Sequence, residues 1–198
     1  MHDISLGVTL RDYLTGEEVE ATTYEDLRQA LARLLVEERG YPRASIVPRA
    51  PVRFPVEGRE YTRLVDFAVL DEGTPLLVVL FCSGECTTYE REIVAAARLF
   101  PGGPARLAVV TDTRDAVLLA VANGERLARG MRAIPDWTAL TGLAARHAPA
   151  PLDEAHLERE RRILFMYSES LYDCCSRATC AIESRGGRWE KGEEGDEG

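Results

Sequence analysis

The chain has 198 residues, 45% of them hydrophobic and 29% charged, a balance that suits one globular domain or two small ones and excludes disordered, collagen-like and coiled-coil architectures. No apolar run reaches the length of a bilayer span, and the start Met1-His2-Asp3-Ile4 has neither a basic flank nor an apolar core, so the expectation is a cytoplasmic protein with no membrane partner. The formal net charge is −9, from 24 Lys+Arg against 33 Asp+Glu, which argues against broad nonspecific DNA binding, because that needs a basic surface to displace counterions.

Residues 1–21 read as a lead-in, with a turn at Leu14-Thr15-Gly16-Glu17-Glu18. A helix follows. Thr22 or Thr23 is placed to cap it with Glu25 or Asp26 three residues on, Leu27, Leu31, Leu34 and Leu35 share one face, and Gly40 with Pro42 ends it. Between Ala44 and Glu60 the chain is Pro-rich, with Val52-Arg53-Phe54 as a short strand and Gly58 as a turn. Tyr61 to Leu70 alternates as a strand with Asp66 at its middle, Asp71-Glu72-Gly73-Thr74-Pro75 turns, and Leu76 to Cys82 is a continuous apolar run suited to a buried central strand. A second helix starts at Thr87 or Thr88 and stops at Pro101-Gly102-Gly103-Pro104. Leu107–Thr111 and Ala116–Ala122 are further strands, the latter closed by Asn123-Gly124, and Trp137–His147 is helical. After the break Ala148-Pro149-Ala150-Pro151, a long amphipathic helix runs from about Leu152 to Tyr172. Glu158 to Arg162 reads as a solvated charge run, and Glu190 to Gly198 as a disordered acidic tail. The order of elements predicts an α/β (α+β) fold, a mixed sheet covered by helices.

Thr22 to Leu31 followed by Gly40-Tyr41-Pro42, the hairpin Arg63 to Leu70 and Pro75 to Cys82, the helix Glu90 to Phe100 and the strand ending Val109-Val110-Thr111-Asp112 together resemble the N-terminal domain of type I restriction enzyme R subunits. The resemblance covers roughly residues 22–127 and implies the PD-(D/E)XK nuclease fold. It divides the chain into a lead-in (1–21), a restriction-endonuclease-like core (22–147), a C-terminal helix with a cysteine cluster (148–186) and the acidic tail (187–198). It also implies an Asp on the first hairpin strand and a Glu-Xaa-Lys on the second. Residues two apart on a strand share a face, so the two carboxylates converge on a divalent metal while the Lys positions the attacking water. Carried over residue by residue, Asp66 takes the Asp position, as a relic or a remaining metal ligand, and Glu25 takes the helix-one Glu position. The Glu falls on Leu80 and the Lys on Cys82; Glu92 falls near a Gln of the following helix. A leucine ligates no metal and a thiol does not replace an ammonium, so the resemblance implies a nuclease fold without standard nuclease activity, free to bind DNA or a protein partner.

Two alternatives stand beside that reading. One is an active, magnesium-dependent DNA nuclease with a carboxylate relocated to Glu85, Glu90 or Glu92 and Arg91 standing in for the Lys. The other is a cysteine-based metal or redox sensor. Five cysteines fall in two groups, Cys82 with Cys86 and Cys174, Cys175 with Cys180; if the last helix packs back across the sheet, four thiolates would hold zinc or an iron–sulfur cluster. Some nucleases of the same fold carry a four-cysteine cluster that staples a C-terminal segment to the core. Reduced, buried structural thiols are the plainer expectation for the same residues. His147 and His156 have no partner at metal-ligand spacing.

Overall fold

The structure, a computed structural model, describes residues 4–170. Strands β1 (Ser5–Arg11) and β2 (Glu18–Thr22) form a separate two-stranded antiparallel hairpin. The main sheet has six strands in the order β3 (Ile46–Val56), β4 (Arg59–Asp71), β5 (Thr74–Phe81), β6 (Leu107–Thr111), β7 (Ala116–Ala120) and β8 (Arg126–Arg129). All neighbours are antiparallel except β5 and β6, which are parallel and joined through α2 (Glu90–Arg98). Helices α1 (Glu25–Arg33) and α3 (Trp137–Arg146) cover one face, where Leu31, Leu35, Leu140 and Ala144 pack on Leu77, Val79 and Val109. The other face takes α2 and α4 (Glu154–Phe165), with Ile93, Ala97 and Leu164 on Val78, Leu80 and Val110. This is the mixed, helix-flanked sheet of a PD-(D/E)XK nuclease-like α+β fold, with α4 as the C-terminal helical extension.

The β3–β4 and β4–β5 hairpins close through two-residue loops, Glu57-Gly58 between Val56 and Arg59 and Glu72-Gly73 between Asp71 and Thr74. All four loop residues have positive φ (50°, 76°, 47° and 81°), the type I′ geometry whose twist matches the flanking strands. The second turn sets Asp71 opposite Thr74, and a bulge between Val69 and Leu70 then shifts the pairing by one residue and places Phe67 opposite Val79.

Neither β3 nor β4 keeps one face throughout. Phe67 and Val69 pack under α1 and α3, whereas Val65 joins the cluster under α2 and α4, although all three sit at odd positions of one strand. Strict alternation would put them on the same side, so the phase of β4 changes at Asp66. Across the ladder, Ile46 and Ala50 part in the same way around Arg49, which has φ 50°, while the pairing register is the same before and after it. A buried carboxylate therefore sits at the one place where this pair of strands changes phase.

Several sequence expectations change. The stretch expected to hold only a short strand at Val52-Arg53-Phe54 is an eleven-residue edge strand. Its prolines are tolerated because an edge strand has one side without a ladder partner. Neither Thr22 nor Thr23 caps α1; its N-cap is Tyr24, with no side-chain hydrogen bond, and the Thr23 hydroxyl contacts Ile4 instead. The second helix opens with a 3-10 turn, Cys86–Tyr89, before α2. The charge run on α4 is only partly a solvated face: Arg161 and Arg162 pair with Glu154 and Glu158, but Glu160 is buried and bound to Arg98 at 2.5 Å. Cys174, Cys175, Cys180 and the acidic tail lie outside the described residues.

Candidate functional site

The face change delivers Asp66 to the junction of α1, β4 and the end of β5. Ladder pairing between β4 and β5 stops at Phe67 and Val79, and the Asp66 side chain takes over from the backbone there. Its Oδ2 accepts the Phe81 N–H at 2.7 Å, and its Oδ1 accepts Arg28 Nε of α1 at 2.6 Å. Phe81 lies between Leu80 and Cys82, so the carboxylate sits directly beside that pair. Burial pushes the Asp66 carboxyl up, against the pull of the Arg28 guanidinium and the Phe81 N–H.

Glu25, on the first turn of α1, is 1% exposed. Its Oε1 accepts Gln29 Nε2 at 2.9 Å, and its Oε2 accepts Arg28 Nη1 at 3.3 Å and Arg49 Nη2 at 2.5 Å. Gln29 also donates to Asp12 Oδ2 at 2.9 Å and accepts the Tyr13 N–H at 2.7 Å, which ties the β1–β2 turn to α1. The Arg28 guanidinium thus touches both carboxylates brought forward by the sequence, Glu25 and Asp66.

Leu80 and Cys82 are 2% and 1% exposed and belong to the apolar cluster under α2 and α4. Cys82 also lines a cleft of ~270 Å³ with Tyr24, Phe81, Ser83, Asp112 and Arg114. Its Sγ lies 3.7 Å from Cys86 Sγ and donates to Gly84 O at 3.4 Å. Burial pushes the Cys82 thiol up to about 12, and burial raises the Cys86 thiol as well. Both are neutral thiols at physiological pH, and among the described residues no three His, Cys, Asp or Glu side chains come together as a metal site.

The relocated carboxylates are engaged elsewhere. Glu85 pairs with Arg129 at 3.2 Å and Glu90 with Arg126 at 2.7 Å, both at the β8 end of the sheet. Glu92 is 1% exposed and bound to Arg63 Nε at 2.6 Å. Burial raises its carboxyl, with Arg63 pulling the other way and the Asp66 charge adding to the rise, so Glu92 lies near Asp66 but is held by its own arginine. Arg91 is 53% exposed and reaches toward Glu160, at 3.8 Å.

The family model for the type I restriction enzyme R protein N terminus matches residues 23–135. The chain belongs to this family. No curated protein and no solved structure matches it. In this restriction-enzyme domain, the matched stretch runs from the residue before the α1 N-cap to the loop before α3, and so includes Glu25, Asp66, Leu80, Cys82 and Glu92.

The residues do not fit the divalent metal that the fold implies. Such an ion takes several oxygen ligands. Here the strand position opposite Asp66 carries an aliphatic side chain, and every oxygen of Asp66 and Glu25 already accepts an N–H. Asp66, Glu25, Leu80 and Cys82 stand out in the sequence as site positions; Arg28, Arg49 and Arg63, the three cations that hold the buried carboxylates, do not. Arg28 carried a signal, since it stands three residues after Glu25 and such pairs meet on a helix face. Arg49 and Arg63 carried none, because their contacts depend on the change of phase in β3 and β4.

Proposed function

We propose that this domain is a non-cleaving member of its family, which engages DNA or a protein partner through the face around Asp66 without hydrolysing phosphodiesters. The observation that carries this reading is the pair Leu80 and Cys82, buried in the apolar cluster on the strand beside Asp66. Metal-assisted hydrolysis in this fold needs an acid at the first position, to share the ion with Asp66, and an amine at the second, to orient the nucleophile. An aliphatic chain and a neutral thiol supply neither. The test incubates the full chain with supercoiled, linear and single-stranded DNA in Mg²⁺ or Mn²⁺ and measures DNA binding across a salt series. The reading expects intact DNA; if DNA is the partner, affinity falls linearly in log–log form with salt. Metal-dependent cleavage that disappears in Asp66→Asn would refute it.

A second reading concerns the thiols. Tyr167 Oη donates to Thr88 O at 3.1 Å, so the end of the C-terminal helical segment meets the 3-10 turn that starts at Cys86. Cys174 follows Tyr167 by seven residues, a span of ~24 Å if extended. This supports a four-thiolate zinc or iron–sulfur site shared by Cys82 and Cys86 with Cys180 and one of Cys174 and Cys175. Elemental analysis of anaerobically purified protein tests it: about one zinc, or a stoichiometric iron–sulfur cluster, lost in Cys82→Ser, is expected. Metal-free protein with all five thiols titratable after denaturation contradicts it.

A further inference from the structure

We infer that Arg28 takes the place of a divalent cation between Glu25 and Asp66, so that this carboxylate pair is closed to metal and the site holds together without one. Both carboxylates are buried, at 1% and 9% exposed. Two buried anions joined through one group require a cation between them. A single guanidinium fills that role here, with Nε on Asp66 Oδ1 at 2.6 Å and Nη1 on Glu25 Oε2 at 3.3 Å. Its planar fork supplies directional donors as well as charge, which a point cation does not.

The remaining lone pairs point the same way. Asp66 Oδ2 is taken by the Phe81 N–H, Glu25 Oε1 by Gln29, and Glu25 Oε2 also by Arg49. Each of the four carboxylate oxygens therefore has a protein donor. Glu25 and Asp66 already meet the Arg28 and Arg49 guanidiniums, so a divalent ion between the two acids would have to displace Arg28. Arg28 is a positioning residue here, since it fixes α1 to the β4–β5 junction by bridging the two acids.

The inference deepens the non-cleaving reading, yet the two fail separately. Metal-dependent cleavage overturns that reading, whereas saturable metal binding without cleavage overturns this one alone. The experiment titrates the full chain with Mn²⁺ by calorimetry and by the resonance signal of the free ion, and follows melting temperature with and without Mn²⁺. The parent is expected to show no saturable site and no Mn²⁺-dependent shift. Arg28→Ala is expected to gain one site, at least about tenfold tighter than any residual surface binding of the parent, and to melt higher with Mn²⁺ by ~4 °C or more. The double variant Arg28→Ala/Asp66→Asn loses both gains. Arg28→Lys keeps the charge but not the fork, and is expected to show no saturable Mn²⁺ site while melting below the parent. Arg28→Gln, neutral but still able to donate, serves where Arg28→Ala does not fold and is expected to gain the same site. Saturable, Asp66-dependent Mn²⁺ binding by the parent overturns the inference, and so does the absence of a site in both Arg28→Ala and Arg28→Gln.

Discussion

Asp66→Ala and Asp66→Asn separate the two tasks of this carboxylate. The alanine variant removes both acceptors at once. The Phe81 N–H, buried at the end of β5, loses its only acceptor, a cost of ~1–3 kcal/mol for an orphaned buried donor. Arg28, with its side chain 11% exposed, loses the Asp66 carboxylate, and breaking a buried pair from one side costs ~3–5 kcal/mol. Glu25 still compensates Arg28, so the second figure applies in part, and the sum is ~3–5 kcal/mol. Asparagine keeps an oxygen for the Phe81 N–H and nearly the same volume, but it gives up the charge and turns an NH2 donor toward Arg28 Nε, for ~1–3 kcal/mol. Urea unfolding of the two variants beside the parent measures the difference, expected at ~2 kcal/mol with unchanged m-values. If both variants lose the same amount, or neither loses more than ~0.5 kcal/mol, the Asp66 carboxylate does not join β5 to α1 as described.

Three further outcomes follow from the same contacts. Burial raises the Glu92 carboxyl in the folded protein, so the folded state takes up this proton before the unfolded chain does. Stability then increases as pH falls from neutral through the folded-state value, and the gain ends near the unfolded value of ~4.3; Glu92→Gln flattens that segment of a melting-temperature series between pH 7.5 and 4.5. Cys82, pushed up to about 12, and Cys86 stay unmodified by iodoacetamide at pH 8 in folded protein and react in denaturant, as peptide mass mapping will show. Leu164 of α4 is fully buried against the sheet, and Leu164→Ala is expected to cost ~3 kcal/mol in urea unfolding, which shows that α4, beyond the stretch matched by the family, completes the same core.

Much of the central sheet was legible because its signals are local. The Asp71 to Pro75 turn and the apolar run from Leu76 mark β4 and β5 locally, whereas the bulge between Val69 and Leu70, which shifts the register before Phe67, left no such signal. The β1–β2 hairpin and β8 were not read as strands, because both are largely exposed and lack the buried alternation that marks a core strand. The length of β3 was hidden by Pro48, Pro51 and Pro55, which read as strand breakers. Those prolines also held an unused clue. Pro lacks an N–H and so sits where the backbone points away from the ladder, which in a regular strand is every second residue. Pro48 is at an even position and Pro51 and Pro55 at odd ones, so a continuous edge strand through all three must change phase between 48 and 51, where Arg49 does so. The arginines that hold the buried acids were out of reach for a different reason: ion pairs between elements depend on where each strand turns its faces, and composition and spacing do not specify that.

A crystal of the full chain grown in Mn²⁺ and measured at the manganese absorption edge decides whether Arg28 closes the Glu25–Asp66 pair to metal. The expected map has no anomalous peak between α1 and the end of β5, and the Arg28 guanidinium in contact with both Glu25 and Asp66. A manganese ion ligated by Asp66, with Arg28 swung aside, would contradict it.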